Sequence, residues 1–342
     1  MIKSALERLL DDNARFDLGA RGTFNHLPMA LVALSRIGAT EERLIEYFRW
    51  WEENRALPRR DSDQQINRND WQRYIGDARM SEALADCFRR WIVDRSSAEV
   101  VSTVFPQVSG GVAAAAFHGL IRLAYGIEAD HAGEIAGGLA TLCSRYADLG
   151  VQVDRAALNI SVEAALVRIA EALGGAVFTA DTIIGNMRAA AADPRFKAAF
   201  SCPPIGQALL EDVARASIAL YWQAINTLED RNFNFLTILH MVTAGHAARV
   251  LFGRFPQLAS IDAIGDLWLA TCAAYAAAGA PPLTEYPLPS EIPPWERIFA
   301  DAVVNNDDHV IKMTYTCHAE GAHYRSKLHH AAAARLVAVG RS

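Results

Sequence analysis

Paired cysteines, glycine-rich nucleotide loops, basic stripes and membrane-length apolar runs are all missing from this chain, and each gap closes off a class of function. The five cysteines, Cys87, Cys143, Cys202, Cys272 and Cys317, are odd in number, widely spaced and form no CxxC pair. A disulfide framework or a structural zinc site is therefore not expected, and a reducing cytoplasm is the natural compartment. No GxGxxG follows a strand pattern, and no GxxxxGK[ST] loop, GxSxG elbow or HExxH motif occurs. A familiar flavin, nicotinamide or phosphate-loop domain is not encoded. The formal charge of −6 comes without a basic stripe, which argues against nucleic acid and against anionic membrane surfaces as partners. The most apolar stretches, 113–124 and 267–280, fall short of the ~20 residues that span a bilayer and read as buried helices. The opening residues Met1-Ile2-Lys3-Ser4-Ala5-Leu6-Glu7-Arg8 lack the apolar core and small-residue cleavage site of an export signal, so no export is expected.

What is present is a helix-forming pattern nearly from end to end. The 342 residues are 51% hydrophobic and 21% charged, enough for a sizeable core, and the chain reads as a single domain over 1–342. Apolar residues recur at three- and four-residue intervals, alanine is abundant and alternating β-branched runs are scarce, which predicts an all-α, compact multi-helix bundle, with a helical-hairpin array as a variant. The predicted helices cover 2–15, 27–37, 41–54, 81–94, 98–105, 111–127, 132–149, 161–173, 179–192, 205–226, 233–252, 261–278, 294–317 and 324–338. Pro28 suits a first helical turn, and Thr40 followed by Glu41 and Glu42 makes an N-cap with acidic residues at the positive helix end. Loops are marked at 58–70, 106–111, 203–204 and 279–294, the last stiffened by six prolines.

Ten histidines occur, and four of them lie in strongly apolar helical settings. These are His26 at a helix start, His118 in a helix apolar nearly all round, His240, and His309 in Asp307-Asp308-His309-Val310-Ile311-Lys312-Met313. One such histidine alone is more often a satisfied core residue. Several in one chain point to metal, because imidazole binds transition metals when neutral and burial favours the neutral form. Without spaced thiolates, the remaining nitrogen and oxygen donors suit non-haem iron, with manganese or zinc as alternatives.

Three helical positions advance about 300°, so His309 and Lys312 share a side. No Asp or Glu sits at the heart of the other three histidine helices. Lys312 supplies an anionic oxygen if its neutral amine captures carbon dioxide, since a carbamate is a carboxylate on a long stem. Asp307 and Asp308 are either outer acceptors that orient an imidazole or solvated turn carboxylates. Arg122 and Tyr125 follow His118 on one stripe and either line a pocket or serve packing and ion pairing. The aromatic run Tyr47-Phe48-Arg49-Trp50-Trp51, with Trp71 and Tyr74, either walls an aromatic-ligand pocket or packs helices together. His246, six residues after His240, is rotated about 240° away and His318 faces opposite His309, so both are set aside. His131, His323, His329 and His330 read as exposed.

Asn25-His26-Leu27-Pro28-Met29-Ala30, Ala116-Phe117-His118-Gly119-Leu120-Ile121-Arg122-Leu123-Ala124-Tyr125-Gly126, His240-Met241-Val242-Thr243-Ala244-Gly245-His246-Ala247 and Asn306-Asp307-Asp308-His309-Val310-Ile311-Lys312 together resemble the questin oxidase-like family. Order and spacing fit, as does Trp71-Gln72-Arg73-Tyr74-Ile75-Gly76-Asp77, and the resemblance runs from about residue 20 to 335. It implies an oxygenase of the kind that opens anthraquinone rings in polyketide pathways, using dioxygen, a non-haem iron and, in some members, NADPH as reductant. It implies further that His26, His118, His240 and His309 are the imidazole ligands and Lys312 the carbamate donor. A helical binder of hydrophobic molecules without activity, and a carbamylated-lysine metal hydrolase, are the competing readings.

Overall fold

The computed structural model describes residues 3–60, 64–153, 159–227 and 233–340. Ile2 of the first expected helix and part of the 58–70 loop lie outside them. Among the described residues the chain forms sixteen α-helices and one three-stranded antiparallel sheet.

The N-terminal half holds α1 (Ala5–Asp12), α2 (Leu27–Arg36), α3 (Glu41–Asn54), α4 (Ser81–Asp94), α5 (Ser97–Val108), α6 (His118–Glu128) and α7 (Ala132–Ser144). Strands β1 (Phe16–Ala20), β2 (Thr23–Phe24) and β3 (Ala56–Pro58) lie among them. Then follow α8 (Val162–Leu173), α9 (Ile183–Ala192), α10 (Pro194–Ala199), α11 (Gln207–Thr227) and α12 (Phe233–Arg254). The last four are α13 (Ile261–Ala277), α14 (Trp295–Val303), α15 (Asp308–Tyr324) and α16 (Lys327–Val339). The all-α expectation holds, and helices 41–54 and 81–94 match to the residue.

The small sheet is the element that sequence patterning missed. β1 pairs with β2 at Gly19↔Phe24 and Ala20↔Thr23, and with β3 at Phe16↔Pro58 and Ala20↔Ala56, with an irregularity between. Strands this short carry no readable alternation. The sheet nonetheless positions the site, since β2 leads straight into α2 and fixes Phe24 and His26 at its start.

Two expected helices break where the site is built. Instead of a helix over 111–127, Ala115, Ala116 and Phe117 take left-handed φ values of 53°, 55° and 67°, and α6 starts only at His118. Each left-handed non-glycine residue costs roughly 1–2 kcal/mol, so this kink is held by the packing around it. The expected helix 294–317 is two, α14 and α15, because Asp307 caps α15 by accepting from the His309 backbone N–H. That cap puts Asp308 and His309 in the first turn of α15. By contrast α5 continues through Pro106 to Val108, where sequence reading placed a loop.

α6 and α7 pack closely because small residues face across the pair: a Cβ on Gly138 would collide with the Leu123 backbone nitrogen, and one on Gly126 would lie 2.6 Å from that of Ile135. Contrary to the expectation of no membrane-length apolar run, α12 contains a window of membrane-span length and hydropathy, and 78% of that window is buried inside the protein. Its apolar surface is spent on neighbouring helices.

Candidate metal centre

Four elements deliver His26, His118, His240 and His309 to one point. His26 is the N-cap residue of α2, His118 opens α6 after the left-handed kink, His240 lies within α12, and His309 sits in the first turn of α15. His26 Nε2 is 2.6 Å from His118 Nε2, which is 3.2 Å from His240 Nε2. The His309 ring lies edge-on to those of His26 and His240, at 5.2 and 5.5 Å between centroids.

The other ring nitrogens show why these edges face inward. His118 Nδ1 donates to the Ala115 carbonyl and His240 Nδ1 donates to the Leu236 carbonyl at 2.6 Å. His26 Nδ1 donates to the Asp308 carboxylate. Each acceptor fixes its ring as the Nδ1–H tautomer, leaving three Nε2 lone pairs aimed at one another. Thr23 Oγ1, 3.2 Å from His26 Nε2, can donate to one of them. Burial pushes His26 down to about 4 despite Asp308 nearby, and pushes His118 and His240 well below the ordinary imidazole value. Neutral rings with converging lone pairs repel unless a cation lies between them. Ligands about 2.1 Å from a shared ion sit about 3.0–3.4 Å apart when adjacent, a spacing that the His118–His240 pair matches at 3.2 Å and that the His26–His118 pair, at 2.6 Å, would reach by opening slightly.

Asp308 is the residue whose part the sequence left open. Its Oδ2 accepts from Lys312 Nζ at 3.0 Å and lies 3.5 Å from His309 Nδ1 while holding His26. Burial alone would raise this carboxyl, but the donors gathered around it, His26, His309 and Lys312, hold it well below the usual range. It acts as an outer acceptor that orients imidazole, the first of the two readings above. Lys312 is buried on the same helix face, near enough to lower the pKa values of His26, His118 and His240.

Arg122 and Tyr125 are not brought to this point, contrary to the reading that they line the pocket. Arg122 is buried in an ion pair with Glu134, its Nε and Nη2 each 2.8 Å from Oε2. Glu134 accepts from Asn13 at 3.0 Å, and Asn13 accepts from Asn25 at 2.9 Å, so Arg122 anchors the segment before His26. Tyr125 is buried against His246 and Tyr315, its hydroxyl 3.5 Å from the Lys312 carbonyl. The aromatic run serves packing: Trp51 lies 6.1 Å from the His26 ring, and Tyr47 and Trp51 are buried. His246 is fully buried between Glu320, at 2.6 Å, and Glu128, at 3.6 Å. His329, expected to be exposed, is 1% exposed because α16 turns it beneath Gly321 of α15.

Sequence reasoning also missed Arg43, which donates to the Val303 and Asn305 carbonyls and to Asn306 at 2.6–2.8 Å. It clamps the turn that presents Asp308. Only the adjacent acidic pair hinted at Asp308, and nothing local marked Arg43.

A cavity of about 620 Å³ opens onto all four histidines, a size suited to a drug-sized organic molecule. Phe24 forms part of its wall and stacks on the His118 ring at 5.2 Å and 25°. A search of curated proteins finds no match to the chain. The profile of the questin oxidase-like family matches residues 23–317, a span that includes every histidine of the cluster and Lys312. This chain therefore belongs to the questin oxidase-like family, whose membership points to oxidoreductase chemistry of the oxygenase type.

Proposed function

We propose that this protein is a non-haem iron oxygenase acting on an aromatic or polyketide-like small molecule. The observation that carries the reading is the convergence of three tautomer-fixed, buried Nε2 lone pairs beneath a cavity of substrate size. His26, His118, His240 and His309 would hold the ion, and Lys312, as a carbamate, would add an anionic oxygen. Asp308 would remain the acceptor for the His26 ring and for the carbamate N–H. When bound, Fe(II) supplies activation of dioxygen, with manganese or zinc as less suitable occupants.

The chain's own residues do the rest. The carbonyls of Ala115 and Leu236 and the carboxylate of Asp308 keep the rings aimed, while burial keeps them neutral. Burial of the cluster limits water around it. NADPH would serve as a reductant from solution. The five cysteines are buried and form no disulfide among the described residues; the location we propose is the cytoplasm.

Anaerobic Fe(II) titration followed by metal analysis tests this reading. One iron per chain is expected, with substrate-dependent oxygen uptake. A chain that takes up no stoichiometric metal after reconstitution refutes it, and two metals per chain would favour a hydrolase with paired ions. His118→Ala should abolish iron binding, and bicarbonate removal should weaken it through loss of the carbamate.

A further inference from the structure

Positive charge with no carboxylate partner among the described residues collects at the mouth of the cavity above the histidines. Arg145 and Arg188 both line it and both are exposed. Arg145 forms no ion pair among the described residues, and its guanidinium carbon sits 6.0 Å from the Phe24 ring centroid. Arg188 donates to the Tyr146 carbonyl at 3.4 Å, a neutral acceptor. The first turn of α9, capped by Thr182, lines the same mouth and adds the partial positive charge of a helix N-terminus. Asp181 is the one acidic residue among the described lining residues, so the rim keeps a net positive balance.

We infer that the cavity selects an aromatic substrate carrying an anionic group, a carboxylate or phenolate, which Arg145 and Arg188 grip while the ring lies along Phe24 and the far end reaches the histidines. This rests on the oxygenase reading for the word substrate, but the anion preference stands on the rim alone. Phe24 links the two ends: one neighbour is the His118 ring, at 5.2 Å and 25°, and the other is Arg145. A planar ring seated there is held by stacking, and a guanidinium gives a carboxylate paired hydrogen bonds that a neutral amide cannot match. An exposed arginine without an ion pair is free to turn onto such a group at little cost.

The test compares two probes of one shape, anthraquinone-2-carboxylate and anthraquinone-2-carboxamide, by equilibrium binding to the full chain as purified. The carboxylate is expected to bind at least tenfold tighter to the native protein. In the double variant Arg145→Met, Arg188→Met that preference should vanish while carboxamide affinity stays within about twofold, which also reports that the variant is folded. Equal affinities in the native protein overturn the inference. So does a preference that survives in the double variant, since the carboxylate would then be held elsewhere, for instance by a metal. Metal content of the same preparations reports on the oxygenase reading separately.

Discussion

Replacing the Asp308 carboxylate by an amide leaves a hydrogen-bond acceptor for His26 but removes the charge that faces Lys312. Outer acceptors of this kind orient ligand rings and raise their basicity, and their loss typically costs 10–100-fold in metal affinity. Asp308→Asn should therefore weaken iron binding by that order in a chelator competition, with stoichiometry unchanged; undiminished affinity would remove Asp308 from the site. Arg122 makes the opposite point. Its partner Glu134 is buried, and Arg122→Met strands that carboxylate, so urea unfolding should show a loss of about 3–5 kcal/mol. A loss below about 1 kcal/mol would mean the pair is not the anchor that the Asn13 and Asn25 bonds suggest. The four histidines that converge were legible in sequence because apolar neighbours on helices mark an imidazole turned inward, fully buried at His26, His118 and His240 and partly at His309. The part of Asp308 was not, because 282 residues separate it from His26; nor was that of Arg122, whose partner Glu134 is only 12 residues on but sits in the neighbouring helix α7, where pairing depends on how the two helices pack.

Helices of strong periodicity, such as α3 and α4, were readable because one face alone is apolar, and Thr40 caps the start of α3. The elements that shape the site were the ones misread. The left-handed run before α6 is made of alanine and phenylalanine, residues with no turn signature. Local propensity favours a helix there, and packing overrides it. The closeness of α6 to α7 is a matter of pairwise fit, and Gly138→Ala pushes a methyl group against the Leu123 backbone. Overpacking of this sort costs about 1–3 kcal/mol, so a denaturant titration should show a loss in that range, while Gly253→Ala, which meets nothing within 4 Å, should be neutral or stabilising. Equal effects at the two glycines would refute the packing argument.

Across the molecule, one buried polar network ties together the helices that carry the site. His246 and Arg249 come from α12, Glu320 from α15 and Glu128 from α6, which also bear His240, His309 with Lys312, and His118. Burial alone would lower His246, but the carboxylate of Glu128 nearby and the hydrogen bond to Glu320 raise it from 6.5 to about 9. Burial alone would raise Glu320, but His246 and Arg249 bring it from 4.5 down to about 2. A raised histidine contributes stability that is full below its unfolded pKa and is lost as pH climbs through the folded one, here between 6.5 and about 9. The cluster histidines His26, His118 and His240 are lowered, so below pH 6.5 the unfolded chain takes up protons first and stability falls again. The metal-free protein should show its highest Tm close to pH 6.5, and His246→Gln should flatten the alkaline side. A Tm that rises steadily from pH 6.5 to 9 would contradict this.

Helicity, the burial of His26, His118, His240 and Lys312, and family membership were all written in the order of the residues, because periodicity, composition and short motifs are local quantities. Packing in three dimensions alone settled which nitrogen of each ring turns inward, that Asp308 rather than Arg122 or Tyr125 joins the cluster, and that arginines rim the cavity above it. Those outcomes depend on backbone carbonyls and carboxylates brought together from distant segments, and hydrogen-bond direction is set by the partner present in space, not by the neighbour along the chain.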